Sequence, residues 1–277
     1  MISLLKNFNG KKVIITGHTG FKGSWLTLWL IHLGAKVTGI SDRTPTNPSN
    51  FEANQLKKKI NHFKFDIRNK KKFLFIINKV KPDYIFHLAA QSLVKKSYKN
   101  PVETFETNTF GTLNLLEALK KVKFKKKCSV VIITSDKSYK NLEIKRGYKE
   151  NDRLGGYDPY SASKACAELI IQSYINSFLK YNKRLFISIA RAGNVIGGGD
   201  WSADRLIPDC IRSIQKKRKL KVRFAKSTRP WQHVLEAIFG YMILAIKKKN
   251  DNKINGNAFD FGPNNKSSLS VIGLVKE

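Results

Sequence analysis

The sequence is poor in the residues that cross-link, bind metal or cross a membrane. It has three cysteines, Cys128, Cys166 and Cys210. No C-x-x-C spacing relates them, which excludes a zinc knuckle or a dithiol redox pair and suits a reducing compartment. No apolar run reaches the ~18 residues of a membrane-spanning helix, and the stretch ahead of Asn7 is too short for a signal peptide. A cytoplasmic protein with no membrane partner and no metal is expected. Internal repeats are absent. Acidic side chains are scarce, 20 Asp and Glu against 52 Lys and Arg, which leaves a net charge of +32.

What is present belongs to a folded chain. Hydrophobic residues make up 42% of the 277 positions and aromatics 11%, so the charge does not signal disorder, and a chain of this length buries a core without staples. A large positive charge first suggests nucleic acid or a membrane surface. Only 11 of the 52 basic residues are Arg, however, and the lysines sit in short dispersed runs at 57–59, 70–72, 125–127 and 247–249. A nucleic-acid reader concentrates its base on one element and uses Arg for bidentate contacts. Solvated surface is the better reading, and no nucleic-acid partner is expected.

Apolar runs of strand length alternate with segments of helical period, the rhythm of βαβ units and a parallel sheet. Strands are expected at Lys12–Thr16, Lys36–Ser41, His62–Asp66, Tyr84–Leu88, Val130–Ser135 and Phe186–Arg191, and helices at Lys22–Leu33, Lys70–Val80, Val102–Lys121 and Tyr160–Tyr181. Six strands give an α/β fold with a doubly wound, Rossmann-type parallel sheet. After Gly193 the pattern changes to loops with Gly, Trp and Pro and helices near Asp204–Lys216 and Val234–Lys248. The expected division is a cofactor-binding domain over 1–192 and a smaller, mostly helical substrate lobe over 193–277. Residues Leu269–Glu277 resemble the opening turns of an unfinished helix.

Gly17-His18-Thr19-Gly20-Phe21-Lys22-Gly23 follows the first strand and opens the first helix. Gly17 would allow the tight turn, Gly20 the approach of backbone N–H groups to a pyrophosphate, and Gly23 close packing of the helix. Asp42 ends the second strand about twenty residues on, where a carboxylate accepts from ribose hydroxyls and repels a 2′-phosphate, favouring NAD. Arg43 beside it could instead pair with that phosphate, and Asp42 could also be a plain polar strand end.

Tyr160-Ser161-Ala162-Ser163-Lys164 sets a phenol and an ammonium on one face of a helix. A phenol acts as a base near neutrality only with positive charge beside it, which Lys164 would supply. In isolation a YxxxK pattern could be a surface pair. This one lies 25 residues after Ser135, a hydroxyl at the end of the fifth strand.

The GxxGxxG turn with this Tyr and Lys resembles the extended short-chain dehydrogenase/reductase family. The resemblance implies that Asp66-Ile67 lie at the adenine and that Leu88-Ala89-Ala90 let the cofactor rest on the sheet. It also implies that Phe21 and Lys22 join the phosphate turn. Ser135-Asp136-Lys137 is similar to the CDP-glucose 4,6-dehydratases, whereas the dTDP-glucose enzymes carry Asp-Glu after the hydroxyl. Three further stretches match the same family: Leu154-Gly155-Gly156-Tyr157-Asp158-Pro159-Tyr160, the run from Arg191 to Trp201, and Arg229-Pro230-Trp231-Gln232-His233-Val234.

That resemblance implies a lyase using NAD and a nucleotide-sugar substrate, CDP-glucose. Tyr160 would deprotonate the C4 hydroxyl with Ser135 bonded to the same oxygen, as hydride leaves C4 for NAD+. Asp136 and Lys137 would share proton removal at C5 and protonation of the departing C6 hydroxyl, and hydride would return to C6. Lys164 would also hold the nicotinamide ribose. Gln91, Asn194 and Arg229 would contact substrate, the Asn194 amide at a sugar or phosphate oxygen and Arg229 at the diphosphate. His233 is read as structural, since no second ligand lies at i+4. A homodimer or homotetramer is implied, and the chain resembles a member shortened at its C-terminus. A nucleotide-sugar 4-epimerase, a non-catalytic nucleotide binder and a nucleic-acid binder remain the alternatives.

Overall fold

The computed structural model describes residues 2–144, 146–222, 224–249, 255–263 and 268–276. Strands β1 (Lys12–Thr16) and β2 (Lys36–Ser41) have the expected bounds, and β3 (Asn61–Lys64), β4 (Tyr84–His87), β5 (Cys128–Ile133) and β6 (Leu185–Ala192) lie within two residues of theirs. The shifts have a local cause. Asp66 and Ser135, expected as strand ends, instead accept the backbone N–H groups of Arg68 and Lys137 and start turns.

Helix α1 (Ile2–Leu5) precedes β1, α2 (Phe21–His32) follows it, short α3 (Asn50–Ala53) lies between β2 and β3, and α4 (Lys70–Val80) leads to β4. After α5 (Val94–Lys99), the helix expected at 102–121 is α6 (Pro101–Phe105), a π turn over Glu106–Phe110 and α7 (Gly111–Lys121). Helix α8 (Pro159–Tyr174) starts where the sequence provides both signals. Asp158 accepts the Ser161 N–H at 3.0 Å, and Pro159 takes the first position, which needs no donor.

The remaining elements are β7 (Val195–Ile196), α9 (Leu206–Gln215), β8 (Thr228–Pro230), β9 (Gln232–His233), α10 (Val234–Lys248), β10 (Ala258–Phe261), β11 (Ser268–Ser270) and α11 (Val271–Lys276). They correct the sequence reading in three ways. Among the described residues the sheet has seven strands, in the order β10-β6-β5-β4-β1-β2-β3, because β10 adds in parallel to β6. β10 is only four residues long, with Asp260 inside it, and it follows a stretch rich in Lys and Asn, so no strand stood out in the sequence. Residues from 193 onward are also not all lobe, since β10 completes the sheet and α10 covers it, with Ala237, Ile238, Tyr241 and Met242 fully buried. The expected helix at 269–277 is strand through Ser270, paired with β8, and helical from Val271; Glu277 lies outside the described residues.

Successive side chains along each strand face opposite helical layers. Ile14, Ile85, Val130 and Ile132 pack with α4, α7 and α8. Val13, Ile15, Phe86 and Val131 pack with α1, α2 and α10. Strand order reverses between β1 and β4, and a ligand crevice opens at the carboxyl ends of strands at such a point.

Candidate active site

The turn after β1 is closed by backbone contact. Gly17 has φ +72°, and a Cβ there would lie 2.8 Å from the Ala89 backbone at the end of β4. A Cβ on Gly23 would overlap the Gly17 carbonyl, so this glycine serves closure of the turn itself, whereas helix packing on the sheet was expected of it. Gly20 is the N-cap of α2, and no side chain caps the helix and no acidic residue occupies its first turn. An uncapped helix start beside a cleft attracts an anion. The cleft is about 1100 Å³ and runs from Asp42 and Asp66, past this turn, to Asn194 and Arg229. These features fit a dinucleotide.

At the far end of the cleft, Asp42 pairs with Arg43 Nε at 3.2 Å, and Arg43 also reaches Glu103 at 3.3 Å. Asp66 accepts the Arg68 guanidinium at 2.7 Å, and Arg68 bonds Glu106 at 2.6 Å. Ile67 is buried. Leu88, Ala89, Ala90 and Phe21 line the cleft. Lys22 approaches the Tyr241 hydroxyl at 3.4 Å, and burial, then the charge of Arg205, brings its pKa down to about 8.

Ser135, Asp136, Lys137, Tyr160 and Lys164 all line the cleft. Ser135 caps a single 3₁₀ turn, Asp136–Ser138; its hydroxyl donates to Asp136 at 3.0 Å and accepts the Lys137 N–H at 3.2 Å. Lys137 Nζ is 3.8 Å from Asp136 Oδ1, with both side chains about one-third exposed to the cleft. Tyr160 and Lys164 are buried. Burial raises the Tyr160 pKa, opposed by the Ser135 hydroxyl beside it and the charge of Arg205. Burial lowers Lys164 to about 8, and its ammonium donates to the Ile133 carbonyl at 3.3 Å, at the end of β5. The arrangement offers a phenol with cationic support, a neighbouring hydroxyl, and a carboxylate–ammonium pair on one turn.

The family model described as GDP-mannose 4,6 dehydratase matches residues 14–275. A CDP-glucose 4,6-dehydratase from Salmonella typhimurium is 47% identical over 98% of this chain and 76% of its own length. The chain belongs to the GDP-mannose 4,6 dehydratase family. A CDP-paratose 2-epimerase from Salmonella typhi is 29% identical over 96% of this chain and 82% of its own. Among solved structures, an epimerase from Methanothermobacter thermautotrophicus superposes with a TM-score of 0.82 at 25% identity, covering 99% of this chain and 77% of that one. A dTDP-glucose 4,6-dehydratase from Streptomyces venezuelae, solved with NAD bound, has the same fold, with a TM-score of 0.81 at 22% identity over 96% of this chain and 79% of that one.

In this member of the GDP-mannose 4,6 dehydratase family the substrate end holds both expected and unexpected residues. Asn194 Oδ1 and Trp231 Nε1 are buried beside the cleft without a hydrogen-bond partner among the described residues. Arg229 lies at the rim, one guanidinium nitrogen donating to the Thr228 carbonyl at 2.8 Å. Gln91 lines the cleft, but its amide is committed within the protein, donating to the Leu93 carbonyl and Thr104 Oγ1 at 3.1 Å each and accepting the Leu93 N–H at 2.7 Å. Its side chain therefore shapes the wall. His233 caps α10 by accepting the Leu235 N–H at 3.3 Å.

Arg205 was missed by sequence reasoning. It is held by Asp200 at 3.1 Å and Ser92 at 3.3 Å, and its charge reaches both Tyr160 and Lys22. Its only sequence signal is position inside the motif-bearing stretch after Gly193. Arg68 was missed too, although it immediately follows the Asp66-Ile67 pair.

Proposed function

We propose that this chain is a CDP-glucose 4,6-dehydratase that uses NAD and forms CDP-4-dehydro-6-deoxy-glucose. The observation that carries the reading is the Asp136–Lys137 pair on the Ser135 turn, in one cleft with Tyr160 and Lys164. A 4-epimerase needs one proton shuttle, whereas a 4,6-dehydratase needs a further acid and base at C5 and C6. The name and 47% identity of the Salmonella typhimurium relative support the same substrate.

The residues that would hold NAD are the Gly17–Gly23 turn, Asp42 at the adenosine ribose and Lys164 at the nicotinamide ribose. What NAD supplies when bound is a reversible hydride sink between C4 and C6, so the net change is loss of water. Tyr160 takes the proton of the C4 hydroxyl, and Ser135 holds that oxygen. The 4-keto group acidifies C5–H. Asp136 and Lys137 remove that proton and protonate the C6 hydroxyl as it leaves as water; C5 is reprotonated when C6 is reduced, and the proton held at Tyr160 balances that uptake, so C4 stays a ketone and every side chain regains its starting state. Asn194 and Arg229 bind the sugar-diphosphate, with Arg229 as its cation.

The enzyme is read as a homodimer. Helices α6 and α8 and the π turn that packs against α8 expose Val102, Leu169 and Phe110, with Phe178 in the turn beyond α8. Three unpaired thiols suit a cytoplasmic location.

The test is parallel incubation with CDP-, dTDP- and UDP-glucose, followed by the near-ultraviolet absorbance that 4-keto-6-deoxy sugars develop in base. Product from CDP-glucose is expected, and an epimerised hexose without that absorbance overturns the reading. Lys137→Ala should lower the rate ~10²-fold or more. A near-parental rate in that variant removes Lys137 from the mechanism.

A further inference from the structure

Glu168 lies on α8 one turn beyond Lys164 and two beyond Tyr160, so all three share a helix face. Its side chain is completely buried and does not line the cleft. A carboxylate in that position is costly unless its oxygens are satisfied. It accepts Thr134 Oγ1 at 2.6 Å, Ser138 Oγ at 3.0 Å and Arg191 Nε at 2.9 Å. Thr134 and Ser138 bracket Ser135, Asp136 and Lys137. One carboxylate therefore ties both ends of the turn that carries the acid–base pair to the helix that carries the phenol and ammonium.

Arg191, from β6, is the countercharge. It pairs with Glu168, and its Nη1 donates to the Tyr139 hydroxyl and to the Glu150 carbonyl at 3.1 Å. Tyr139, next after Ser138, donates to Asp260 at 2.6 Å. The network thus extends from α8 through the turn to β10, the strand that the sequence did not reveal.

We propose that Glu168, held by Arg191, is a positioning residue that locks the Ser135–Lys137 turn to the Tyr160–Lys164 face and places a negative charge behind Lys164. This deepens the dehydratase reading and rests on it. Lys164 is faced from its own helix by Glu168, with Tyr160 one turn before it on α8, from α2 by Lys22, from β4 by His87 and from β5 by the Ile133 carbonyl. His87 is kept neutral by burial, with its pKa brought down to about 3. Glu168 is the group that opposes the effect of burial on Lys164. Without its charge Lys164 loses its proton at lower pH, and Tyr160 loses cationic support with it.

The experiment compares the parental protein with Glu168→Gln and Glu168→Asp. In the Gln variant kcat should fall ~10–100-fold, as misplacement of reacting groups costs, with KM within ~3-fold. The alkaline limb of the kcat profile should move to lower pH, and the Asp variant, which keeps the charge, should restore it. The Lys137 and Ser138 amides should exchange hydrogen faster in the Gln variant. An unchanged kcat, or a fall in kcat with both the alkaline limb and the exchange unmoved, overturns the proposal.

If the Gln variant does not fold with Arg191 left unpaired, Glu168→Gln combined with Arg191→Met removes both charges and is judged by the same two readings. If the parental protein gives no product from CDP-glucose, the dehydratase reading fails. The clamp is then judged by exchange alone, faster at Lys137 and Ser138 in its favour and unchanged against it.

Discussion

Lys164 is an ammonium carried into a protein interior, and its cost and its use are inseparable. Its pKa in the folded chain is about 8, below the ordinary 10.5, because burial disfavours the charge. Below pH 8 it is protonated in both the folded and unfolded states, and folding carries the full cost of its burial. Between pH 8 and 10.5 the folded state has shed the proton that the unfolded state still binds, and the cost is relieved. Lys164→Met should therefore be more stable than the parent at pH 7, by roughly 2–3 kcal/mol, with the difference shrinking as pH rises through 8 toward 10.5. Denaturant midpoints across that range measure it, and a constant difference would contradict it. The same variant should lose the activity that depends on the ammonium. Tyr160 and Lys164 were legible in the sequence because their relation is local, four residues on one helix. Arg205 was not, because the loop that brings it to Tyr160 has no periodicity.

The π turn at Glu106–Phe110 shows how an element positions a site. The extra residue in this turn aims Asn108 at α8 and the loop after β4. Its amide donates to the Gln91 carbonyl at 3.0 Å and to Ser163 Oγ at 2.9 Å, and its oxygen accepts the Gln91 N–H at 2.8 Å. Ser163 sits between Tyr160 and Lys164. Asn108→Ala should cost about 2–4 kcal/mol, since it strands buried partners, and a shift of the urea midpoint reads it. The helix itself was legible from its apolar period, but the π turn was not: one inserted residue leaves that period nearly intact. The seventh strand was missed for a related reason. Residues 258–261 become strand by pairing with β6, and their own composition does not demand it.

On the scale of the molecule, the charge and the fold separate. Among the described residues the cleft is lined by ten basic and seven acidic side chains, so it accounts for little of the +32. A small positive excess suffices to draw in anionic ligands, and the remaining lysines lie elsewhere. The proposed homodimer would form through the exposed apolar side chains named with it. Sedimentation should give a dimer, and Phe110→Glu with Leu169→Glu should give a folded monomer, because charges on those exposed apolar side chains would be buried at the contact. A parental protein that sediments as a monomer would contradict the reading.

The sequence by itself determined what is local or periodic: the alternation that makes a parallel sheet, the glycine turn, the Tyr160–Lys164 pair, and the Ser135-Asp136-Lys137 segment on which the dehydratase proposal rests. Tertiary structure alone decided which of these meet. Strand order puts Gly17 against Ala89, Glu168 joins the helix of Tyr160 to the turn of Lys137, and β10 supplies Asp260 to Tyr139, 121 residues away. Such contacts depend on how elements stack around a buried charge, and no spacing along the chain encodes that.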